Sequence, residues 1–168
     1  MASLVIDIRP ARVSDALQLA DVHAVAWREA YSGIIPALTL ERMIIRRSAP
    51  WWRAVLSRRS ILVLDVGGTV AGYASFAPAH GRVRPGAAEV QELYLRPEYQ
   101  GIGLGLRLFA AVLKRVKARG FRRVLVRALS DNDRATGFYT RRGGKLVARS
   151  EESLGGKELP CVWYEFRT

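Results

Sequence analysis

The chain has 168 residues, of which 49% are apolar and 25% are charged, so it is long enough to bury a core and too apolar to be disordered. One cysteine excludes a disulfide framework, and with two histidines it supplies too few ligands for a zinc site. The net charge of +12 is carried mostly by arginines spread in ones and twos, so we expect one domain over residues 1–168, without a metal and without a nucleic-acid partner.

The N-terminal half is predicted to contain a strand, a helix, a less regular helical region and a hairpin. The first strand ends at Pro10, which cannot donate a ladder hydrogen bond. Pro50 interrupts the second helical region, which can therefore be two short helices. In chain order, these elements are a strand at Leu4 to Arg9, a helix capped by Ser14 or Asp15 and reaching about Ala30, a helical region at Leu38 to Ser57, and strands at Ile61 to Val66 and Val70 to Phe76.

The C-terminal half is predicted to alternate strands and helices before a final hairpin around Gly155-Gly156. Its elements are a strand at Ala88 to Leu95, a helix at Leu104 to Arg119, a strand at Val124 to Leu129, a helix at Asp131 to Arg142, and strands at Lys145 to Glu151 and Cys161 to Phe166. Because this order mixes hairpins with one helical crossover, it predicts an α/β fold with a partly antiparallel sheet.

A glycine-rich turn joins the strand that ends at Leu95 to the helix that begins at Leu104. Its sequence is Gln100-Gly101-Ile102-Gly103-Leu104-Gly105-Leu106, with a glycine at every second position. Such a turn exposes backbone N–H groups beside a helix N-terminus, where an anion is favoured. The turn lacks the Gly-Lys-Ser/Thr of a P-loop and the dinucleotide spacing G-x-G-x-x-G. A phosphate cradle and a plain tight turn both remain open on spacing alone.

The same turn resembles the Q/R-x-x-G-x-G/A motif of the GCN5-related N-acetyltransferases, the GNAT superfamily. Asn132, followed seven residues later by Tyr139, resembles the second signature of that family, and the element order agrees over nearly the whole chain. The resemblance implies a GNAT fold, with a mixed, mostly antiparallel sheet of about seven strands, about four helices, and a splayed parallel strand pair that binds acetyl-CoA.

By this resemblance, backbone N–H groups of the turn hold the pyrophosphate of acetyl-CoA, and the pantetheine arm pairs with the strand before the turn. Arg107, Lys114 and Arg115 are candidates for the 3′-phosphate, unless they form a solvated helix face. The implied cofactor-binding residues are Leu93, Tyr94, Leu95, Gln100, Gly101, Ile102, Gly103, Leu104, Gly105, Leu106, Asn132 and Tyr139.

Three side chains are candidates for the chemistry of acetyl transfer. Glu89 and Glu92 lie on the strand before the turn, and a carboxylate there can take the proton of an ammonium acceptor. We favour Glu92, because strand alternation turns it away from the core-directed leucines and because the family bulges its strand just after this position. Tyr139 would protonate the leaving thiolate, and the N–H of Leu93 would bind the oxyanion.

The acceptor side is implied by Trp27-Arg28-Glu29-Ala30-Tyr31-Ser32-Gly33-Ile34-Ile35-Pro36, which resembles a W-R-x-x-Y-x-G-I-x-P stretch of many bacterial members. Trp27, Tyr31 and Glu92 are the candidate substrate residues, although the aromatic rings are equally explained as core. Further candidates for this wall are Trp51, Trp52, His80 and Trp163. The stretch Val126-Arg127-Ala128 lacks the glutamate of some ribosomal-protein acetyltransferases, which disfavours that activity.

The sequence therefore predicts an acetyl-CoA-dependent N-acetyltransferase that transfers an acetyl group directly to a primary amine of a small molecule or peptide. A catalytically idle acyl-CoA sensor and a basic nucleic-acid-binding module are the alternatives. No stretch approaches 18 uninterrupted apolar residues and the first ten residues already contain Asp7 and Arg9, so a cytoplasmic protein without membrane contact is expected. The acceptor is unknown, and the C-terminal strands could pair in a homodimer.

Overall fold

The structure is a computed structural model that describes residues 3–81 and 83–168. Its five α-helices and seven β-strands follow the predicted order, with the second helical region divided into two helices. In chain order they are β1 (Ile6–Pro10), α1 (Ala16–Tyr31), α2 (Ala37–Arg46), α3 (Ala49–Val55), β2 (Ser60–Val66), β3 (Thr69–Pro78), β4 (Ala88–Leu95), α4 (Leu104–Ala118), β5 (Arg123–Leu129), α5 (Asp133–Arg141), β6 (Lys145–Leu154) and β7 (Lys157–Arg167).

The seven strands form one sheet in the order β1-β2-β3-β4-β5-β7-β6. Every neighbouring pair is antiparallel except β4 and β5, which run parallel. The predicted mixed, mostly antiparallel sheet is therefore confirmed. The β4–β5 ladder stops after Val90 and Val126, so the rest of β4 has no partner on that side. A gap thus opens between the two parallel strands in the middle of the sheet.

Helices cover both faces of the sheet, because most central strands are buried on both sides. On one face, α4 and α5 pack on the alternating apolar residues of β2 to β5 and β7. On the other face, α1, α2 and α3 pack in two smaller clusters that include Trp52 and Tyr73. The sheet therefore separates a face covered by α4 and α5 from a face covered by α1 to α3.

The local predictions differ from the structure at some element ends. Pro10 is the last residue of β1, paired with Leu62, because β1 is an edge strand on which proline is tolerated. Asp15 precedes α1, but its carboxylate accepts from Arg9 and from the Arg12 N–H instead of capping the helix. The final hairpin turns at Gly155 and Gly156 as predicted, with longer strands on both sides.

The helical region predicted from Leu38 to Ser57 is two helices, as the prediction allowed, and the break lies at Arg47 and Ser48 instead of at Pro50. Pro50 lies in the first turn of α3, where its missing N–H is not needed. Among the residues that the structure describes, none of the helices is both long enough and apolar enough to cross a membrane.

Candidate active site

A cavity of about 790 Å³ lies where β4 and β5 separate. Residues from the C-terminal half of α1, from β4, from the glycine-rich turn, from the end of β5 and from α5 line it. Both sequence motifs therefore meet at one site, although they are far apart in the chain.

The glycine-rich turn forms the end of this cavity at the N-terminus of α4. Gly101 and Gly103 have φ angles of 77° and 85°, which strongly favour glycine. The first backbone bond of α4 runs from the Arg107 N–H to the Gly103 carbonyl oxygen, 3.2 Å away. Within the described part of the chain, the N–H groups of residues 101–106 therefore have no backbone acceptor. This arrangement fits a phosphate, because free N–H groups and the helix dipole favour an anion.

The side chains of the turn do not all contribute to the cavity. Gly105 and Leu106 line it, whereas Ile102 is 69% exposed and Leu104 is buried in the core. The Gln100 amide donates to the Leu95 carbonyl oxygen at 3.1 Å, which holds the turn against the end of β4. The predicted partners of the 3′-phosphate on α4, Arg107, Lys114 and Arg115, are exposed outside the cavity wall.

The free edge of β4 forms one long wall of the cavity. Leu93, Tyr94 and Leu95 all line it, and their pairing partners lie on β3 alone. An extended molecule in the gap can thus pair with this edge like an additional strand.

Asn132 and Tyr139 form the opposite wall, at the start and in the middle of α5. The Asn132 side-chain oxygen accepts the Ala135 N–H at 3.2 Å, so this residue caps the helix as well as lining the cavity. The Tyr139 ring packs against Phe109 and Phe138, and burial raises the pKa of its hydroxyl well above the ordinary value. A phenol in this environment keeps its proton at neutral pH.

Glu92 is a buried carboxylate on the cavity wall, with 8% of its surface exposed. Val90 pairs with Phe76 and Glu92 pairs with Ser75, so Gln91 is an extra residue that makes a β-bulge just before Glu92. The bulge was expected just after this position. It places Glu92 on the α1–α3 face of the sheet, opposite to Leu93.

Glu89 lies on the same face of β4 as Glu92, but it is not part of the cavity wall among the described residues. Burial raises the pKa of its carboxyl, and the positive charges of Arg127 and His80 oppose this effect. Of the two predicted bases, only Glu92 therefore opens onto the cavity.

The acceptor side of the cavity is lined by aromatic hydroxyl groups. The hydroxyl oxygens of Tyr31 and Tyr94 are 2.7 Å apart and share a hydrogen bond, and burial raises the pKa of Tyr31 to about 12. Trp27 packs behind Tyr31, with ring centroids 5.1 Å apart, and does not belong to the described cavity wall. The structure thus places Tyr31 at the cavity and Trp27 in the layer that supports it.

The remaining residues considered for the acceptor wall lie elsewhere. Trp52 is buried in the core between α1 and the sheet. His80 is exposed, and the Trp163 indole N–H donates to the Ser150 hydroxyl. Trp51 is half-buried outside the cavity wall, and the Arg47 guanidinium carbon lies 4.4 Å from its ring centroid.

The single cysteine, Cys161, is buried on β7, where burial raises the pKa of its thiol.

Sequence reasoning missed a buried polar cluster behind Glu92. The cluster consists of Arg47, whose guanidinium donates to the Glu92 carboxylate, and of side chains with buried nitrogen or oxygen atoms that have no hydrogen-bond partner in the structure. These side chains are His23, Trp27, Trp52, Tyr73 and Ser75. No sequence spacing could indicate this set, because it comes from two helices, a turn and one strand.

No group of three or more His, Cys, Asp and Glu side chains within residues 3–81 and 83–168 is arranged to hold a metal ion.

Comparison with known proteins connects this site to a family. A model described as the acetyltransferase (GNAT) family matches residues 20–144, which is more than half of the chain. The uncharacterized N-acetyltransferase YuaI of Bacillus subtilis is 27% identical over 161 residues, which cover 94% of this chain and 92% of that protein. A mycothiol acetyltransferase of Pseudarthrobacter chlorophenolicus is 35% identical over 85 residues, which cover 49% of this chain and 26% of that protein.

Solved structures share the fold at low identity. The PaiA N-acetyltransferase of Thermoplasma acidophilum, in complex with coenzyme A, superposes with a TM-score of 0.78 at 22% identity, over 98% of this chain and 99% of that chain. YncA of Salmonella typhimurium, with its cofactor acetyl-CoA, gives a TM-score of 0.69 at 19% identity, over 97% and 94% of the two chains. The family match and these structures agree with the predicted GNAT fold, and the chain belongs to the acetyltransferase (GNAT) family.

Proposed function

We propose that this protein is an N-acetyltransferase that moves the acetyl group of acetyl-CoA to a primary amine of a small molecule or peptide. One observation carries the proposal: the glycine-rich turn, the unpaired edge of β4 and the buried Glu92 carboxylate open onto a single cavity. Coenzyme A or acetyl-CoA bound to PaiA and YncA, which share this fold, supports the same donor.

The donor would be held largely by the backbone. The N–H groups of residues 101–106 would bind the pyrophosphate, because they have no backbone acceptor and lie at the N-terminus of α4. The edge of β4 from Leu93 to Leu95 would pair with the pantetheine arm, and Asn132 on the opposite wall would hydrogen-bond it.

Three groups would act on the reacting atoms. Glu92 would take a proton from the acceptor ammonium, which leaves a neutral amine to attack the thioester carbonyl carbon. The Leu93 N–H would donate to the oxygen of that carbonyl while it carries negative charge. As the new C–N bond forms and the C–S bond breaks, the Tyr139 hydroxyl would donate its proton to the departing sulfur. The second proton, which the acetylated nitrogen loses, would return the Tyr139 phenolate to its neutral form, so that the products are the amide and free CoA. Transfer would be direct, within a complex of protein, donor and acceptor.

A thiol-release assay tests the proposed function. Purified protein is mixed with acetyl-CoA and a panel of amines, amino acids, amino sugars and peptides, and free CoA is measured. We expect release that depends on one amine class, with initial-velocity lines that intersect. Parallel lines with a trapped acetyl-enzyme would contradict direct transfer. Thermal stabilisation by CoA without turnover of any amine would instead indicate an idle sensor. Cytoplasmic location and homodimerisation stay predictions.

A further inference from the structure

Arg47 occupies the break between α2 and α3 and reaches inward from there. It follows the last residue of α2, with φ and ψ of −99° and 45°, so the chain turns at this residue. Its guanidinium carbon lies 4.4 Å from the centroid of the Trp51 ring, and the rings of Trp27 and Trp52 are within about 6 Å. Three tryptophans from α1 and α3 thus surround one arginine side chain, which is 22% exposed.

The guanidinium meets the Glu92 carboxylate inside this aromatic shell. Arg47 Nη1 donates to Glu92 Oε1, and the Tyr73 hydroxyl lies beside the same carboxylate. The Glu92 side chain is 8% exposed, and a carboxylate that is buried to this extent needs a compensating charge or a donor. Arg47 therefore supplies both the charge and the direction that hold the carboxylate.

The other polar groups around Glu92 do not supply a second charge. Tyr73 on β3, Tyr94 on β4 and Tyr31 on α1 face it, and burial raises the pKa of all three phenols. His23 on α1 packs against Trp27, and burial together with the Arg47 charge lowers its pKa to about 3. These four side chains are thus neutral through the neutral pH range, and among residues 3–81 and 83–168 Arg47 is the one cation that forms an ion pair with Glu92.

We infer that Arg47 is a positioning residue for acetyl transfer, which orients the Glu92 carboxylate toward the acceptor amine and supplies the opposite charge that compensates its burial. The inference rests on the proposed function, since it requires Glu92 to be the base. The turn between α2 and α3 thereby has a function. The tryptophan rings hold the guanidinium in position, and the guanidinium holds the carboxylate in position. A neutral side chain at position 47 would remove the compensating charge. A buried carboxyl group without such a charge favours its protonated form, so a smaller fraction of the protein would hold the ionised base that the amine needs.

Four variants of the whole chain test this inference, together with a matched control. Arg47→Gln removes the charge, Arg47→Lys keeps it, Glu92→Gln removes the base, and the double variant Arg47→Gln/Glu92→Gln removes both members of the pair. Arg46→Gln is the control, because Arg46 is the exposed neighbour at the end of α2. The measurements are kcat, the acceptor KM, the affinity for CoA and the pH dependence of kcat with the best amine of the panel.

We expect Arg47→Gln to lower kcat about 30-fold at neutral pH and to move the acid limb of the pH profile upward, with unchanged CoA affinity. Arg47→Lys should keep the acid limb in place and recover most of kcat, and Arg46→Gln should match the wild type. If Arg47 acts through Glu92, the double variant has the same kcat as Glu92→Gln alone, because coupled residues are not additive. This comparison also holds if Arg47→Gln fails to fold, since the double variant buries no unpaired charge.

Each other outcome overturns the inference. A double variant that is further impaired than Glu92→Gln would assign Arg47 a purely structural role. Unchanged kcat and pH profile in Arg47→Gln, with Glu92→Gln inactive, would overturn the role of Arg47 and leave the proposed function intact. A wild-type protein that acetylates no amine would remove the proposed function and this inference together.

Discussion

The two walls of the cavity are built in different ways. On the donor wall, the groups that would hold acetyl-CoA are backbone N–H groups of the glycine-rich turn and the free edge of β4. On the acceptor wall, the groups that face the cavity are side chains: the Glu92 carboxylate, with Arg47 behind it, and the hydroxyls of Tyr31 and Tyr94. Backbone N–H groups are present whichever side chains the donor wall carries. On the acceptor wall, each substitution changes the chemical groups that face the cavity.

This difference is relevant to the solved structures that share the fold of this chain at low identity. PaiA and YncA share only about a fifth of their residues with this chain, yet their structures contain CoA or acetyl-CoA. A site made of backbone survives such divergence as long as the glycines keep their positive φ angles. The acceptor wall has no such protection, so its residues must be tested one by one.

The largest effect is expected on the acceptor wall, at Glu92. Glu92→Gln should lower kcat about 1000-fold, because the amine loses the group that takes its proton, with CoA affinity unchanged. Glu89→Gln is the matched control on the same face of the same strand, and its kcat should stay within about threefold of the wild type. Both values come from steady-state kinetics with a competent amine. The opposite ranking would move the base to Glu89 and separate the chemistry from the cavity.

A second substitution tests Tyr139, which α5 presents to the cavity opposite the β4 edge. Tyr139→Phe should lower kcat about 100-fold with little change in acetyl-CoA affinity, because only the hydroxyl is lost. Since burial raises the pKa of Tyr139, the hydroxyl keeps its proton at neutral and mildly alkaline pH, and kcat should show no loss between about pH 7 and pH 9 from this group. Tyr164→Phe, at a neighbouring buried ring, is the control. An unchanged kcat in Tyr139→Phe would exclude Tyr139 as the acid.

The backbone of the donor wall can be tested at Gly103. Gly103→Ala forces alanine into a φ of 85°, which costs about 1–2 kcal/mol, and should weaken CoA binding about tenfold as the turn relaxes. Gly120→Ala is the control, because Gly120 has a φ of 89° beyond the other end of α4. We expect a similar loss of thermal stability in both variants, and weaker CoA binding by calorimetry in Gly103→Ala alone. Equal CoA affinities would show that the donor is held elsewhere.

The smallest effect is expected at Cys161, which belongs to neither wall. Its thiol is buried, and burial together with the Glu152 charge raises its pKa, so little thiolate forms at neutral pH. Cys161→Ala should therefore keep kcat within about twofold of the wild type in the same assay. A loss of all activity, together with acetylated Cys161 found by mass spectrometry, would replace direct transfer by a covalent route.

The donor wall was largely predictable from local sequence. Gly101 and Gly103 indicated the turn, and the pair of Asn132 and Tyr139 indicated a second wall. Both motifs could be recognised because each is contained in a short stretch of the chain. Strand alternation also predicted that Glu92 and Leu93 lie on opposite faces of β4, as they do. The bulge lies before Glu92 and not after it, because its position depends on how β4 pairs with β3.

The acceptor wall could be predicted only in part. Tyr31 lies at the cavity, whereas Trp27 packs one layer behind it. Helical periodicity predicts which side of α1 a residue is on, but it does not predict whether the side chain reaches the cavity surface or stays beneath it. Arg47 was one arginine among many in a chain with a net charge of +12. Nothing in its neighbourhood along the chain distinguished it from its exposed neighbour Arg46.

The sequence by itself determined the element order, the mixed sheet and the glycine-rich turn, because glycine, proline and apolar periodicity act locally on the backbone. Only the tertiary structure decided which charges meet in the interior. Arg47 and Glu92 are 45 residues apart, and they come together because α3 buries Trp52 against the sheet and places the preceding turn above β4. The pair is important because it is buried: a charge in water is stabilised by the solvent, whereas a buried carboxylate needs an opposite charge or a hydrogen-bond donor.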